Sequence, residues 1–343
     1  MNNNVLERDV LDFSEQFELW QYLRGKSFLI TGATGLIGSI FIKCLLELNQ
    51  QKDLGIKVVA VVRNIDKANL IFSGDSEKVD FRVLELVDIS KEKINTHIDY
   101  VIHLASPTAS KFFVEYPVET LRTAIEGTIK VLEYAKDIKV EGMIMASSLE
   151  VYGSNDNEEL INEKFQGYVD PLEVRSSYNM GKRAAESLCH AYAKEYHVPV
   201  KIARLTQTTG AGISEDDNRV IVQFSRKISR GEDIVLHTTG ESARPYCYTI
   251  DAISAMLFIL FLGENGEAYN VANEDTYISA KDMAEYLKNN FNPSIDVRVE
   301  LNDNMGYAPA TKLRLDTTKL KKLGWNPRYS LYEIFTNLIS YLC

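Results

Sequence analysis

The segment Lys26–Gly38, KSFLITGATGLIG, restricts the fold of this chain more than any other segment. A short apolar run leads into Gly32, Gly35 and Gly38, and a helical pattern follows at once. A strand that turns through glycines into a helix presents backbone N–H groups and the positive end of the helix dipole to a pyrophosphate. We expect Gly32 to permit the tight turn, Gly35 to let phosphates approach, and Gly38 to let the helix pack on the strand.

Strand-like apolar runs and helix-length segments alternate over the first 200 residues. Continuous β-branched and apolar runs are typical of parallel strands that are covered on both faces. The pattern predicts an α/β fold with a doubly wound parallel sheet of the Rossmann type and right-handed crossovers. The predicted strands are Ser27–Thr31, Lys57–Val62, Phe81–Leu86, Tyr100–Leu104, Gly142–Ser147 and Val200–Arg204, and the predicted helices are Leu36–Asn49, Pro117–Lys136 and Ser176–Tyr196.

Three parts of the chain differ in pattern. We expect residues 1–25 to form an N-terminal extension, in which a short helical pattern opens at 14–17, and residues 26–206 to form a dinucleotide-binding domain. We expect residues 207–343 to form a smaller, mixed substrate lobe, interleaved with the first domain, that closes over the carboxyl ends of the strands. Its long loops are 210–218, 238–244 and 302–311.

The composition excludes several classes of function. The net charge is −10, so no basic stripe is available for a nucleic-acid backbone. The four cysteines have no paired spacing and no His, Cys or Asp cluster has metal-ligand spacing, which predicts reduced thiols and no metal. The N-terminus is polar and acidic, and the longest apolar run, Ala255–Leu262, is too short to cross a bilayer. We therefore expect a cytoplasmic protein without a nucleic-acid or membrane partner.

Tyr178 and Lys182 carry the most specific chemistry in the sequence. They lie four residues apart at the start of a helical pattern, so both project from one face. A neighbouring ammonium favours the phenolate, so we expect Lys182 to lower the pKa of Tyr178 from ~10 and to make it an acid/base for a carbinol oxygen. Taken alone, a Tyr and a Lys at this spacing are also typical of the solvent-exposed face of an amphipathic helix. Ser148 favours catalysis, because the end of the fifth strand brings its hydroxyl to the same pocket.

Together, TGATGLIG, Ser148 and Tyr178-x-x-x-Lys182 resemble the extended short-chain dehydrogenase/reductase family of nucleotide-sugar epimerases, dehydratases and decarboxylases. The resemblance covers nearly the whole chain and is greatest to the UDP-glucuronate decarboxylases. It implies that Tyr178 is the acid/base, that Lys182 also holds the nicotinamide ribose, and that Ser148 binds the reacting oxygen. Further counterparts are HLASP at 103–107, EVYG at 150–153, YNMGKRAAE at 178–186 and LGWNPRYSL at 323–331.

The predicted cofactor site extends along the ends of the first four strands. By the resemblance Asp88 would bind adenine, although a loop aspartate that caps the next helix is an alternative. The residues after the fourth strand would line the cofactor, and a buried strand end explains them equally well. The predicted cofactor contacts besides Tyr178 and Lys182 are Gly32, Thr34, Gly35, Leu36, Ile37, Gly38, Arg63, Asn64, Asp88, Ile89, Leu104, Ala105 and Ser106.

Arg63 distinguishes between the two dinucleotides. After the second strand most family members have an acid that holds the ribose hydroxyls of NAD, but here Arg63 and Asn64 follow, with Lys67 close behind. A cation at this point favours the 2′-phosphate of NADP(H), so we predict NADP(H), with NAD(H) as an alternative. A solvated surface arginine is the other interpretation. NADPH use favours net reduction.

Three further residues are predicted to contact the substrate, and the pair at 149–150 bears on the type of reaction. Leu149-Glu150 replaces the Asp-Glu of the dehydratases and the Ser-Glu of the decarboxylases, and the lost acid counts against dehydration. Glu150 is a second acid/base candidate or a helix-start carboxylate. Gln207 stands where the family has an Asn that contacts the sugar diphosphate. Arg219 and Arg244 are candidates to bind the diphosphate of the substrate. The alternative for Arg219 is a salt bridge, and the alternative for Arg244 is packing among aromatic side chains.

The sequence thus predicts an enzyme that transfers hydride between NADP(H) and a carbon of a nucleotide-diphosphate sugar. Net reduction of a nucleotide-linked ketose or keto-sugar is favoured, with cofactor-recycling decarboxylation or epimerisation as alternatives. A non-catalytic NADP(H)-sensing module is the alternative from another class, and the retained Ser148, Tyr178 and Lys182 count against it. By the resemblance we expect a homodimer formed through the helices at 117–136 and 176–196.

Overall fold

Seven parallel strands form the central sheet in the computed structural model, which describes residues 3–155, 158–301 and 310–343. Their order across the sheet is β3-β2-β1-β4-β5-β7-β11. The order reverses between β1 and β4, and ligands of such sheets bind in the crevice at this switch point. The strands are β1 Ser27–Thr31, β2 Lys57–Val62, β3 Val79–Val83, β4 Tyr100–His103, β5 Gly142–Ser148, β7 Val200–Leu205 and β11 Ala268–Val271.

Helices cover both faces of the sheet because successive strand residues point to opposite sides. In β1, Phe28 and Ile30 enter one apolar core and Leu29 enters the other. The long helices are α1 Asn3–Gln16, α2 Leu36–Lys52, α6 Pro117–Ile138, α7 Ser177–Glu195, α8 Val220–Arg230, α9 Thr249–Leu262, α10 Ala280–Phe291 and α12 Leu331–Leu342. The short helices are α3 Ile65–Ile71, α4 Lys91–Ile94, α5 Ser110–Glu115 and α11 Thr318–Lys321.

The residues after 207 supply both a smaller sheet and part of the large one. In the smaller sheet, β10 (Ala243–Tyr248) pairs in parallel with β8 (Gln207–Thr209) and antiparallel with β12 (Asn273–Ser279). Strand β11 pairs with β7 in the large sheet, so the two parts of the chain share one sheet. Residues 302–309 of the predicted loop 302–311 lie outside the described residues. The remaining strands are β6 Leu160–Ile161, β8 Gln207–Thr209, β9 Ile234–Leu236, β10 Ala243–Tyr248, β12 Asn273–Ser279, β13 Val297–Val299 and β14 Arg314–Leu315.

The predicted sheet is confirmed, although most element bounds differ from the prediction by one to three residues. The largest differences concern the N-terminal helix and β3. The N-terminal helix α1 ends at Gln16, where the sequence pattern suggested that a helix opens. Its Val5, Val10 and Phe13 are buried in the core, so tertiary packing stabilises the earlier turns. Strand β3 ends at Val83 rather than at residue 86. Within the described ranges, none of the helices combines the length and apolarity needed to span a bilayer.

Candidate active site

The glycine loop after β1 has the predicted tight geometry. Gly32 has φ +70°, and a Cβ there would lie 2.8 Å from the backbone nitrogen of Ala105. A Cβ at Gly38 would overlap the carbonyl oxygen of Gly32, so α2 can pack this closely on the turn only because residue 38 is a glycine. Gly35 is the N-cap of α2, so the helix N-terminus begins directly at the loop. The tight turn and the close packing are therefore as expected.

A single crevice of about 2380 Å³ runs along the carboxyl ends of the parallel strands. It extends from the end of β2, past the glycine loop and the end of β5, to strands β8 and β10. All but two of the predicted site residues line it. They are Gly32, Thr34, Gly35, Leu36, Ile37, Gly38, Arg63, Asn64, Leu104, Ala105, Ser106, Ser148, Glu150, Tyr178, Lys182, Gln207, Arg219 and Arg244.

Asp88 and Ile89 do not line the crevice. The carboxylate of Asp88 forms an ion pair with Lys93 at 2.9 Å, and Ile89 is buried in the core. Because β3 ends three residues earlier than predicted, the residues that line the crevice there are 84–87. The structure therefore favours neither residue as an adenine contact.

Tyr178 projects from the first turn of α7 toward the end of β5. Its hydroxyl faces the side chain of Ser148, and its ring stacks on that of Phe113 with centroids 4.3 Å apart. Burial raises the pKa of Tyr178 to about 12, the polar side chain of Ser148 opposes this rise, and the negative charge of Glu150 adds to it. The phenol is therefore protonated at neutral pH. Phe113 was not identified from the sequence, because only the fold brings it to Tyr178.

Lys182 lies one turn beyond Tyr178 and is buried. Its Nζ donates a hydrogen bond to the carbonyl oxygen of Ala146 at 2.8 Å and lies 5.9 Å from the centroid of the Tyr178 ring. Burial lowers the pKa of Lys182 to about 8, and the carboxylate of Glu186 opposes this shift. The prediction that Lys182 lowers the pKa of Tyr178 is wrong here, because the ammonium is held by a carbonyl group and burial of the phenol dominates.

Ser148, Leu149 and Glu150 form the turn that follows β5. The Oγ of Ser148 accepts a hydrogen bond from the backbone N–H of Glu150 at 3.2 Å, which fixes the serine at the crevice. The Glu150 carboxylate accepts a hydrogen bond from Asn179 Nδ2 at 3.3 Å and lies 3.5 Å from Arg175 Nη1. Leu149 is 2% exposed and packs in a small apolar core. Glu150 is thus the acid of this turn that lines the crevice near Tyr178.

The two predicted substrate arginines differ in their partners. Arg219 Nε and Nη2 donate to the carboxylate of Asp217 at 2.6–3.0 Å, and its Nη1 donates to the carbonyl oxygen of Thr208. The salt-bridge alternative for Arg219 is therefore present, although its side chain also lines the crevice. Arg244 Nη2 contacts Thr311 Oγ1 at 3.4 Å and forms no ion pair with any described carboxylate. Of the two arginines, Arg244 is the one whose positive charge is not paired with a described carboxylate.

Arg63 lines the far end of the crevice, directly after β2. The side chain of Arg63 is exposed and has no hydrogen bond or ion pair within the described part of the chain. Asn64 is the N-cap of α3, and its side-chain oxygen accepts a hydrogen bond from the N–H of Lys67 at 2.9 Å. The carboxamide of Asn64 therefore caps helix α3, whereas the guanidinium of Arg63 is available to a ligand.

Comparison with known proteins identifies the family. The model of the family described as "NAD dependent epimerase/dehydratase family" matches residues 28–272, well over half of the chain. The chain belongs to that family. The resemblance inferred from the glycine loop and the Tyr-x-x-x-Lys pair is thereby confirmed.

Two sequence relatives are named as UDP-glucuronic acid decarboxylases. UDP-glucuronic acid decarboxylase 5 of Arabidopsis thaliana is 30% identical over 315 residues, which cover 89% of this chain and 86% of that protein. UDP-glucuronic acid decarboxylase 1 of Danio rerio is 27% identical over 345 residues, 96% of this chain and 77% of that protein. This chain is thus an enzyme of the epimerase/dehydratase family.

Solved structures of family members share the architecture. UDP-glucose 4-epimerase of Thermotoga maritima has a TM-score of 0.77 at 22% identity and covers 92% of this chain and 98% of its own. UDP-glucuronic acid 4-epimerase of Bacillus cereus, solved in complex with NAD, has a TM-score of 0.74 at 24% identity with the same coverage of each chain. At these identities the two structures support the fold.

Proposed function

We propose that this enzyme transfers hydride between a nicotinamide dinucleotide and a carbon of a nucleotide-diphosphate sugar. The observation that carries this proposal is the convergence of Ser148, Tyr178 and Lys182 in one crevice with the glycine loop and Arg244. Three polar groups at the end of β5 and the start of α7 can hold a carbinol or carbonyl oxygen. The helix N-terminus and an uncompensated arginine are suited to anionic phosphates on either side.

The residues of the crevice fit a dinucleotide. A Cβ at Gly32 would collide with the backbone after β4, which leaves a glycine-only turn beside the α2 N-terminus for phosphate oxygens. The loop at 104–106 and Lys182 would hold the nicotinamide end. When bound, the reduced dinucleotide supplies a hydride. Arg63 favours the form with a 2′-phosphate, so we propose NADP(H) as the preferred cofactor within this NAD dependent family.

The residues at positions 63 and 149 favour net reduction. The protonated phenol can donate its proton to a carbonyl oxygen held by Ser148, a general-acid step typically worth ~10²–10⁴ in rate. At the position of Leu149 the dehydratases carry an acid, and a buried leucine cannot protonate a leaving hydroxyl. A nucleotide-linked ketose or keto-sugar is therefore the proposed substrate.

A second candidate is oxidation and decarboxylation with internal recycling of the dinucleotide. The observation that favours it is the 30% identity to UDP-glucuronic acid decarboxylase 5 across 89% of this chain. Both reactions place the sugar oxygen between Ser148 and Tyr178 and its diphosphate at Arg244. They differ in whether the dinucleotide is consumed.

A panel of UDP-, CDP-, GDP- and dTDP-linked sugars distinguishes these reactions. The purified enzyme is incubated with each sugar and either NADPH or NAD⁺, and both the nicotinamide absorbance and the release of CO₂ are followed. We expect stoichiometric loss of NADPH with a nucleotide-linked ketose or keto-sugar. Release of CO₂ without net change in the dinucleotide would support decarboxylation, and a change in neither with every sugar would contradict both.

A further inference from the structure

Phe113 covers one face of Tyr178. The two rings are nearly parallel, with an interplanar angle of 10° and centroids 4.3 Å apart, and Phe113 is only 3% exposed. Stacked aromatic rings prefer a defined relative geometry and exclude water from their shared face. The groups around the rest of the phenol are polar or charged, namely Ser148, Glu150 and Lys182. Phe113 thus supplies an apolar contact to a phenol whose other neighbours named here are polar or charged.

The chain fixes Phe113 from two directions. Helix α5, which carries Phe113, follows the loop that lines the crevice after β4. The hydroxyl of Ser177 donates a hydrogen bond to the carbonyl oxygen of Phe113 at 3.2 Å. Because Ser177 immediately precedes Tyr178, this bond ties the stacking residue to the backbone of the residue that it stacks on. The two segments are therefore joined both by the stacked rings and by the hydrogen bond from the neighbouring serine.

We propose that Phe113 is a positioning residue, whose ring fixes the plane of the Tyr178 phenol and keeps water from that face. The hydroxyl is then held toward Ser148 and toward the reacting oxygen. The structural part of this proposal is independent of the reaction. Its kinetic part rests on the proposed function.

Titration of Tyr178 tests the structural part without any substrate. Tyrosinate absorbance is recorded against pH for wild type, Phe113→Met, Phe113→Leu and Phe113→Tyr, and the curve of the same protein carrying Tyr178→Phe is subtracted from each. In the Met and Leu variants water reaches the phenol, so its midpoint should fall toward the ~10 of a free tyrosine. Phe113→Tyr keeps a ring in place and should retain the wild-type midpoint.

Kinetics with the substrate from the panel test the positioning role. We expect Phe113→Met and Phe113→Leu to lower kcat on the order of 10- to 100-fold, while the KM for the dinucleotide is unchanged and Phe113→Tyr recovers most of the rate. Tyr116→Leu, which removes an exposed ring at the end of α5, is the matched control and should leave both readouts unchanged. An unshifted titration in both ring-less variants, or a Tyr variant that behaves like them, would overturn the proposal. Failure of every sugar in the panel would overturn the proposed function and leave the titration result standing.

Discussion

The carboxylate of Glu186 is held by the guanidinium of Arg204 inside the protein, through hydrogen bonds of 2.6–3.1 Å from Nε and Nη2. Ser147 Oγ donates to the same carboxylate at 2.5 Å. Glu186 lies one helical turn after Lys182, and Ser147 directly precedes Ser148. The ion pair joins α7, which carries Tyr178 and Lys182, to β7, and the hydrogen bond from Ser147 joins the same carboxylate to the end of β5, which carries Ser148.

Glu186→Gln should destabilise the fold, because it leaves the buried charge of Arg204 without its partner. Breaking such a pair typically lowers the free energy of unfolding by about 3–5 kcal/mol, which urea denaturation can measure. A double variant, Glu186→Gln with Arg204→Met, removes both charges and should recover part of the loss. A single variant as stable as the wild type would show that the pair is not important for stability.

Asp9 should make stability depend on pH in the acid range. It accepts a hydrogen bond from the hydroxyl of Tyr248, and burial raises the pKa of Asp9 to about 6. Between pH ~4 and ~6 the folded chain holds this proton and the unfolded chain releases it, so stability falls as the pH rises through this window. This fall in the free energy of unfolding amounts to up to about 3 kcal/mol, and Asp9→Asn should remove it. Urea midpoints recorded at several pH values measure the effect.

The control for this measurement is Glu15→Gln, which changes an exposed acid on the same helix. Its stability profile should follow that of the wild type across the acid range. An Asp9→Asn profile that also follows the wild type would mean that Asp9 titrates as an ordinary surface acid.

Arg63→Asp should shift the cofactor preference toward NADH. It replaces a cation suited to a 2′-phosphate with a carboxylate that accepts hydrogen bonds from ribose hydroxyls. Loss of one charge-assisted hydrogen bond predicts a change of roughly 10- to 100-fold in the ratio of NADPH to NADH affinity, measured by nucleotide fluorescence. Arg230→Asp makes the same charge change outside the crevice. Equal ratios in both variants would identify Arg63 as a surface charge only.

Arg244→Gln and Arg219→Gln should differ in their effects. Arg244 has no carboxylate partner among the described residues, so its loss should weaken binding of UDP or another matching nucleoside diphosphate about 10-fold or more without affecting the melting temperature. Loss of Arg219 leaves Asp217 without its main partner, so the melting temperature should fall as well. Calorimetric titration and thermal unfolding separate the two effects. Unchanged nucleotide affinity in Arg244→Gln would exclude it from the diphosphate site.

Local patterns in the sequence were sufficient to predict the sheet and most of the crevice. Strand β1 begins and ends as predicted because an apolar run lies between Lys26 and the glycine turn, and strand ends must converge at one edge in a parallel sheet. The end of β3 was misplaced because this strand has a weaker pattern, half-buried and interrupted by Asp80 and Arg82, so its end could not be read from apolar periodicity.

Contacts between distant segments could not be predicted in the same way. The stacking of Phe113 on Tyr178 and the hydrogen bond from Tyr248 to Asp9 join residues that are 65 and 239 positions apart. The pKa of Tyr178 was misjudged for the same reason. Spacing along the helix showed that Lys182 is near, but only the fold shows that the Ala146 carbonyl holds its ammonium and that the Tyr178 phenol is partly buried.

The rate of hydride transfer in Tyr178→Phe tests the central claim most directly. The variant keeps the ring that stacks on Phe113 and loses only the hydroxyl that contacts Ser148. Single-turnover oxidation of the bound reduced dinucleotide, with the sugar identified by the panel, should be slower by about 10²–10⁴-fold, while dinucleotide affinity is unchanged. A single-turnover rate equal to that of the wild type would contradict the assignment of Tyr178 as the proton donor.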